Sequence, residues 1–515
     1  MKLHQWSEEE KAYLEEFLTA DEKAEMDRIE ARRVEQASEY LRPKYHFGAP
    51  IGGLNDPNGL CFYKGYWHMF YQNNQGKGCW WGHAVSKDLL HWRDLPVAIK
   101  PDKEKECYSG MILIEGDRAI AAYFGLDIGI ILAVSDDPLL IRWEKLNNGV
   151  PVIPRRSPDP DVHYEAYDPF IFKKGDTYVI LSGKFIVNKL TGKRERECFA
   201  FESTDLLNWK FTGTFFENDM FAIHGDDAAC PYFIPYENRH LFFHYSHFSG
   251  PKILAGDYDA ERNKFVITNG IRLTSSTSVH GGILAPCAYP DENGMIKAVY
   301  NIEFLPNPGS DYKVMSVFHD VSLVGEDKNT ICIQPAEQMK KLRVESSHVV
   351  KENIMLKSNT PYYPEECFGD VMELSAEFEA KNIPVMEWKV LMSDDEQEYC
   401  AIRLFRQRGN TRHDKFRPGY MYRKAHETVI QVDTIHSSRT GLVRVPDEQS
   451  LYLDLEETVN IRVFLDRSVL EVFVNDRLAF ALRVSPTSGK NVRMSMTACG
   501  NDLLVKKLES YELSL

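Results

Sequence analysis

One short pattern recurs in the N-terminal part of this chain and limits the folds that it can adopt. Residues 86–92 read SKDLLHW, residues 203–209 read STDLLNW, and residues 135–143 carry the looser copy SDDPLLIRW. Each copy follows a run of apolar and aromatic residues that predicts a strand, and each leads into a second, Trp-bearing strand. A strand–turn–strand unit that returns at roughly blade-sized intervals is typical of a β-propeller. The alternative is a β-sandwich in which the three copies resemble one another by chance.

The sequence divides into three segments that differ in predicted secondary structure. Because 515 residues are too many for one ordinary core, we expect more than one domain. Residues 1–42 predict a helical extension with a capped start at Ser7, which packs on the main body or on another subunit. Residues 43–343 predict the β-propeller and end in a short helical connector. Residues 344–515 predict a β-sandwich of two packed antiparallel sheets.

Composition argues against several classes of partner. The formal net charge of -15, with no basic stripe to balance it, argues against nucleic acid. We find no apolar run long enough to predict a membrane span, and the first residues show no hydrophobic leader. The ten cysteines are scattered without a CxxC pair, which predicts reduced thiols in a cytoplasmic protein and neither disulfides nor a zinc site.

Three acidic sites stand next to predicted strands. Asp56 lies in the segment NDPNG (55–59), which predicts a turn at the mouth of a hairpin. Asp168 precedes Pro169 and a strand, and the pair Asp226 and Asp227 leads into another strand. Each site alone is explained by the ordinary preference of Asp for turns. Because a propeller gathers the first strands of its blades around a central channel, we expect these carboxylates to meet there.

Glycoside hydrolysis is the chemistry that requires such an arrangement. One ionised carboxylate attacks the anomeric carbon and a protonated one releases the leaving oxygen, while a further carboxylate can stabilise the oxocarbenium-like transition state. Trp81, Tyr108 and Ser109 offer flat faces and hydroxyls for a sugar, although ordinary strand packing would also account for them.

Several motifs resemble glycoside hydrolase family 32, the family of invertases, levanases and inulinases. They are residues 45–47 (YHF), 55–59 (NDPNG), 68–72 (HMFYQ) and 81–92 (WGHAVSKDLLHW), followed by 108–110, 168–169, 230–231 and 465–475. The resemblance implies a five-bladed propeller with a β-sandwich behind it, and a retaining mechanism that uses no metal and no other cofactor. It also implies that Asp56 is the nucleophile and Asp168 the transition-state stabiliser.

The same resemblance implies which residues hold the terminal sugar. The subsite would be lined by Asn55, Gln72, Trp81 and Ser109. We add three further substrate-binding candidates, which are Tyr108, Tyr167 and Asp226.

The chain departs from the family pattern inside the site itself. Leu54 follows Gly53 where the family usually has Trp-Met, so one aromatic wall is missing. Tyr167 stands where the family usually has Arg, and a phenol cannot replace a guanidinium fork. Ala229, directly before Cys230, stands at the position of the family's Glu acid/base, and alanine cannot transfer a proton.

Three explanations of Ala229 compete. The acid has moved to Asp227, which in an extended segment lies two residues back on the same face. Alternatively, the sequence is that of an inactivated variant, or the protein binds carbohydrate without catalysis. Glu197 before Cys198 repeats the dipeptide without the following Pro, and we do not take it as a candidate.

The sequence therefore predicts a glycosidase with Asp56, Asp168 and Asp227 as its catalytic residues. The predicted reaction is retaining hydrolysis of a terminal β-fructofuranosyl or related furanosyl unit from an oligosaccharide or small glycoside. The N-terminal extension and the β-sandwich are the predicted interfaces of any homo-oligomer.

Overall fold

The computed structural model describes residues 6–74, 76, 78–274, 281–306, 312–379, 385–406, 425–440, 445–454 and 457–515. Strands dominate these ranges, and the fold is all-β apart from two N-terminal helices and a few short 3-10 helices. The first five residues of the predicted extension lie outside the described residues.

The N-terminal extension forms two helices, α1 (Glu8–Phe17) and α2 (Ala20–Gln36). Each begins with a capping box, because the hydroxyls of Ser7 and Thr19 accept the backbone N–H groups of Glu10 and Glu22. The predicted capped start at Ser7 is confirmed. The predicted helical run is nevertheless interrupted at Thr19, since this second cap starts a new helix.

The two helices pack on the main body of their own chain. Leu14 and Leu18 lie in one apolar cluster with Tyr66 and other side chains of the first sheets. Arg33 on α2 donates through Nη2 to Oδ1 of Asp94 over 2.8 Å, and both side chains are buried. This is one of the two arrangements that the sequence predicts for the extension.

The described residues between Gly53 and Pro335 form five consecutive sheets, built from strands β1–β4, β5–β9, β10–β13, β14–β18 and β19–β23. The strands are β1 (Gly53–Tyr63), β2 (Tyr66–Asn74), β3 (Cys79–Ser86), β4 (Arg93–Ile99), β5 (Cys107–Glu115), β6 (Arg118–Gly125), β7 (Gly129–Ser135), β8 (Glu144–Lys145), β9 (Ile153–Pro154), β10 (Pro169–Lys174), β11 (Thr177–Val187), β12 (Arg194–Ser203), β13 (Lys210–Thr214), β14 (Phe216–Glu217), β15 (Ala229–Tyr236), β16 (Arg239–Ser246), β17 (Gly250–Asp259), β18 (Lys264–Arg272), β19 (Ile283–Pro290), β20 (Ile296–Ile302), β21 (Val314–Met315), β22 (His319–Val324) and β23 (Thr330–Pro335).

One edge strand of each sheet contacts the edge strands of its neighbours. β1 contacts β5 and β19, β10 contacts β5 and β15, and β15 contacts β19, so the contacts close a ring. Such a ring of sheets around a common axis is the arrangement of a propeller.

Two further sheets follow a 3-10 helix at Glu337–Leu342, which occupies the predicted helical connector. They pack through a shared apolar core to which Leu374 and Val463 contribute from one sheet and Trp388 and Met496 from the other. The described residues between Val349 and Glu512 therefore form a β-sandwich. Its strands are β24 (Val349–Leu356), β25 (Val371–Phe378), β26 (Val385–Met392), β27 (Cys400–Arg406), β28 (Ala425–Asp433), β29 (Asp447–Asp454), β30 (Val459–Asp466), β31 (Val469–Val474), β32 (Leu478–Arg483), β33 (Arg493–Cys499) and β34 (Leu503–Glu512).

The recurring sequence pattern forms the same turn in three sheets. It links β3 to β4, β7 to β8 and β12 to β13. In each copy one Leu has a positive φ, and the indole of the Trp donates to the carbonyl of that Leu. The three pairs of residues are Leu89 and Trp92, Leu140 and Trp143, and Leu206 and Trp209.

The segment around Asp56 differs from the predicted turn. Residues 55–59 lie inside β1, and the reversal of the chain comes later, at Lys64 and Gly65. The register of β1 against β2 shifts between Leu54 and Pro57 and again between Asn58 and Cys61. The turn-forming residues therefore make β-bulges, which bend a strand and re-aim its side chains.

A buried polar cluster joins the ring of sheets to the sandwich. Asp466, at the end of β30, accepts the backbone N–H groups of Lys44, Tyr45 and His46. The His46 ring lies between the Asp466 and Glu471 carboxylates, at 2.8 Å and 3.0 Å. These bonds fix the segment that leads into β1 against the sandwich.

Candidate active site

A cavity of about 710 Å³ opens where the edge strands of the ring meet. It contains seven of the ten residues that the sequence predicts for the site. They are Asn55, Asp56, Gln72, Tyr108, Ser109, Tyr167 and Asp168.

Asp56 is held in place by hydrogen bonds to one of its two oxygens. Its Oδ2 accepts from Ser109 Oγ over 2.7 Å and from Gln72 Nε2 over 3.2 Å. Gln72 also donates to Ser109 Oγ over 2.7 Å and accepts from Asn55 Nδ2 over 2.8 Å. Because these side chains come from β1, β2 and β5, the network fixes the carboxylate relative to two adjacent sheets.

Asp168 lies immediately before β10 and is buried. Its Oδ2 accepts the backbone N–H of Cys230 over 3.0 Å. Burial raises its pKa, the Cys230 N–H lowers it and the nearby charge of Asp56 raises it, and together these effects place the Asp168 pKa at about 6. The carboxyl is therefore poised to change charge in mildly acidic solution.

The thiol of Cys230 bridges the two carboxylates. Its Sγ lies 3.6 Å from Asp56 Oδ2 and 3.5 Å from Asp168 Oδ2. Cys230 has a φ of 49°, in a left-handed conformation that costs a non-glycine residue energy, and lies at a bulge of β15. This backbone conformation directs both the N–H and the thiol of Cys230 toward the acidic pair.

Ala229 lines the cavity at the position where the family pattern expects an acid. A side chamber of about 270 Å³ adjoins the cavity here, and both are lined by Tyr167, Ala229 and His247. Asp227 lies in this chamber, as expected for a residue on the same face as Ala229. Its carboxylate accepts the backbone N–H of His247 over 2.9 Å and contacts Nδ1 of the same residue over 2.8 Å.

Tyr167 has a cation next to it in place of the guanidinium that the family pattern carries. The Lys184 Nζ lies 4.2 Å from the centre of the Tyr167 ring. Lys184 also lines the side chamber, together with Arg194. Positive charge therefore reaches this wall from β11 and β12 instead of from position 167.

Two predicted substrate-binding residues do not line the cavity. Trp81 is fully buried, and its Nε1 donates to the Tyr108 carbonyl over 2.8 Å, so it supports the strand that carries Ser109. Asp226 is also fully buried and accepts from Lys252 and Ser249. Burial alone would raise the Asp226 pKa, but these bonds hold it well below its usual range. Neither side chain reaches the cavity, because the Trp81 indole packs against the next sheet although Trp81 pairs with Gln72, and the Asp226 carboxylate is turned toward Lys252 in the interior.

Four polar side chains of the cavity, Tyr245, His247, Glu303 and Lys313, are not among the site residues predicted from the sequence, and neither are Asn74, Glu106 and Tyr312. Lys313 Nζ donates to Asn55 Oδ1 over 2.6 Å and lies 3.2 Å from Glu303. None of the four belongs to a motif quoted above. His247 could have been found from its register, because Ala229 pairs with Tyr245, which places position 247 opposite Asp227.

Within the described ranges, no group of three or more His, Cys, Asp or Glu side chains is arranged to hold a metal ion. In the same part of the chain, no helix has both the length and the apolar character that a bilayer span requires.

Comparison with known proteins gives consistent matches. Residues 46–281 match the model of the glycosyl hydrolases family 32 N-terminal domain, and residues 338–512 match that of the family 32 C-terminal region. The chain is 31% identical over 257 residues to the insoluble isoenzyme 1 of β-fructofuranosidase from Oryza sativa subsp. indica, covering 46% of this chain and 40% of the rice enzyme. The chain thus spans less than half the length of that relative.

Two further matches extend over most of the chain. Levanase of Bacillus subtilis (strain 168) is 23% identical over 522 residues, covering 92% of this chain and 71% of the levanase. The crystal structure of fructan 1-exohydrolase IIa from Cichorium intybus superposes with a TM-score of 0.77 at 20% identity, covering 92% of this chain and 98% of that one. At this identity the structural likeness concerns the fold.

Proposed function

Since this chain belongs to glycosyl hydrolase family 32, we propose that it is a retaining glycosidase that releases a terminal β-fructofuranosyl or related furanosyl unit from an oligosaccharide or small glycoside. The observation that carries this proposal is the pair of carboxylates, Asp56 and Asp168, joined through Cys230 in one cavity. The fructosyl substrates in the names of the relatives support the choice of sugar.

In the proposed mechanism Asp56 attacks the anomeric carbon of the furanosyl unit. Its hydrogen bonds from Ser109 and Gln72 end on Oδ2, so Oδ1 is the oxygen available for attack. The attack forms a glycosyl ester and expels the leaving oxygen, and water then cleaves the ester with retention of configuration. Asp168 in its ionised form stabilises the positive charge that develops on the sugar ring.

The sugar-binding groups in this proposal are the polar side chains around Asp56. Asn55, Gln72, Ser109, Tyr108 and Tyr167 line the cavity beside the acidic pair. Asp227, in the chamber beyond Ala229, belongs to the proton-transfer side of the site.

From the same family membership we propose the number of propeller blades and the domain boundaries. The five sheets form a five-bladed propeller within residues 43–343, preceded by the extension 1–42 and followed by the sandwich 344–515. A homo-oligomer through the extension or the sandwich, and a cytoplasmic location, stay predictions.

The test compares the purified protein with two kinds of substrate. One is a natural fructoside such as sucrose, inulin or levan, and the other is an aryl fructofuranoside whose leaving group needs no proton. We expect release of fructose from at least one natural fructoside, and loss of turnover on every substrate in Asp56→Asn. The exposed Asp136→Asn is the matched control and should behave as the wild type.

Sugar binding without turnover of the aryl fructofuranoside would contradict the proposal. That outcome would identify the chain as a carbohydrate-binding protein, because an activated substrate requires the nucleophile but not the acid.

A further inference from the structure

The cavity lacks a proton donor at the position where the family pattern provides one. Ala229 cannot protonate a leaving oxygen, yet an alkoxide leaves a sugar slowly without a proton. A functioning glycosidase therefore needs another acid on the Ala229 side of the cavity.

The antiparallel register places two side chains beside Ala229. Ala229 on β15 pairs with Tyr245 on β16, so Asp227 and His247 lie opposite each other one step further along. Because side chains alternate along a strand, positions 227, 229, 245 and 247 share one face. The contacts agree, since Ala229, Tyr245 and His247 all line the main cavity.

Asp227 and His247 form a hydrogen-bonded pair. The Asp227 carboxylate contacts His247 twice, through the backbone N–H at 2.9 Å and through Nδ1 at 2.8 Å. A carboxylate on Nδ1 fixes the ring orientation and leaves Nε2 as the nitrogen that can exchange a proton with a substrate. The side chain of His247 is 62% exposed, so Nε2 can reach the cavity and the solvent.

We propose that His247 is the acid/base residue of this site, with Asp227 as the residue that positions it. The proposal rests on the proposed function and specifies its missing proton donor. It also changes the role predicted for Asp227, which acts through the imidazole.

The electrostatic surroundings favour the charged imidazole. The hydrogen bond that His247 donates to Asp227 raises the His247 pKa, partial burial lowers it, and the charges of Asp227, Asp168 and Asp56 raise it further. Lys184 and Arg194 line the side chamber, and their positive charges oppose protonation of the imidazole. The protonated imidazole is the form that a general acid requires.

Among the other ionisable groups that line the cavity, Glu106 does not line the side chamber beside Ala229, and three more groups fit the role less well. Glu303 is paired with Lys313 at 3.2 Å. Asp168 has a pKa raised to about 6, but it is only 4% exposed and does not line the side chamber next to Ala229. Tyr167 is not a suitable acid, because burial raises its pKa far above the usual value.

The proposed proton transfers balance over the two steps. In the first, an Asp56 oxygen bonds to the anomeric carbon, the bond to the leaving oxygen breaks, and that oxygen takes the proton from His247 Nε2. In the second, a water molecule gives a proton to Nε2 while its oxygen bonds to the anomeric carbon and the Asp56 ester breaks. The imidazole returns to its protonated form.

The decisive experiment measures kcat/KM of the full chain on a natural fructoside and on an activated aryl fructofuranoside. For His247→Ala we expect a loss of about 100- to 1,000-fold on the natural fructoside and less than about 10-fold on the activated one. Asp227→Asn should lower kcat with little change in KM and move the alkaline limb of the pH profile to lower pH. The exposed His224→Ala is the matched control and should leave both rates unchanged.

A second variant separates proton transfer from damage to the fold. Ala229→Glu in the His247→Ala background places a carboxyl on the same face, and we expect it to restore at least part of the lost rate on the natural fructoside. The proposal for His247 is wrong if His247→Ala keeps the wild-type rate on the natural fructoside. It is also wrong if His247→Ala lowers the rates on both substrates equally and Ala229→Glu restores neither rate. If the wild type turns over neither substrate, the proposed function itself is wrong.

Discussion

Ser109 Oγ donates a hydrogen bond of 2.7 Å to Oδ2 of Asp56, across the boundary between two neighbouring sheets. Gln72 Nε2 donates to the same oxygen over 3.2 Å. Both bonds orient the carboxylate through one oxygen and leave the other for the sugar. The relative position of two sheets thus sets the direction from which Asp56 meets a substrate.

The first prediction concerns this bond. Ser109→Ala should lower kcat/KM on a fructoside about 10- to 100-fold, because a hydrogen bond to a charged group contributes roughly 1.5–3 kcal/mol. Steady-state kinetics on the aryl fructofuranoside would measure it. Ser157→Ala removes a hydroxyl that bonds only locally, to the N–H of Asp159, and should have no effect. Equal activity of Ser109→Ala and the wild type would mean that Ser109 does not orient the nucleophile.

The second prediction concerns the pH dependence of stability at Asp168. Its pKa is about 6 in the folded protein, above the ordinary value of 3.8, because the carboxyl is buried near Asp56. Folding therefore favours the protonated form, and this stabilisation is present below about pH 4 and is lost as the pH rises through about 6. The loss amounts to about 3 kcal/mol.

Asp168→Asn should remove that dependence, since the amide stays neutral and its oxygen can still accept the Cys230 N–H. We expect its unfolding free energy, relative to the wild type, to rise between pH 4 and 7 while activity is lost. Denaturant unfolding at a series of pH values measures the difference. The exposed Asp136→Asn should follow the wild-type curve, and an Asp168→Asn curve parallel to it would contradict the prediction.

Local sequence patterns predicted much of the fold because their chemistry is local. In each copy of the recurring motif the Trp indole donates to a carbonyl three residues earlier. One copy of the motif, seven or nine residues long, therefore encodes one turn. Asp168 before Pro169 and Asp227 before β15 stand at strand starts for the same reason. The ring of sheets then brings Asp56 and Asp168 together, as expected.

Contacts between distant segments explain what the sequence did not predict. Asp226 forms an ion pair with Lys252, and the sequence around Asp226 does not predict that partner. Trp81 and Gln72 are register partners, yet only Gln72 lines the cavity, because Trp81 packs against the next sheet. His247 gains its place from pairing with Asp227 across β15 and β16, and no motif marks it.

The third prediction concerns the buried His46 between Asp466 and Glu471. Burial lowers its pKa, but the two carboxylates outweigh burial and raise it to about 9. The charged imidazole therefore stabilises the folded state fully below about pH 6.5, and this stabilisation is lost as the pH rises through about 9. His46→Gln should show no such loss in this pH window.

Denaturant unfolding between pH 6 and 10 measures this effect. The matched control is His348→Gln, because His348 forms an ion pair with Glu509 at a position that is only partly buried. The control should stay within about 0.5 kcal/mol of the wild type and keep its pH dependence. A wild type whose stability is flat between pH 6.5 and 9 would show that His46 is neutral in the folded protein.

The fourth prediction compares two adjacent arginines of α2. Arg33 is buried against Asp94, whereas Arg32 pairs with Glu35 on the surface. Arg33→Met should lower the free energy of unfolding by about 3–5 kcal/mol because it leaves the Asp94 carboxylate buried without its partner. Arg32→Met should leave the free energy of unfolding close to that of the wild type, because an exposed ion pair contributes little to stability. Asp94→Leu added to Arg33→Met should recover most of the loss in denaturant unfolding, and equal effects of the two single variants would mean that the extension is not anchored through Arg33.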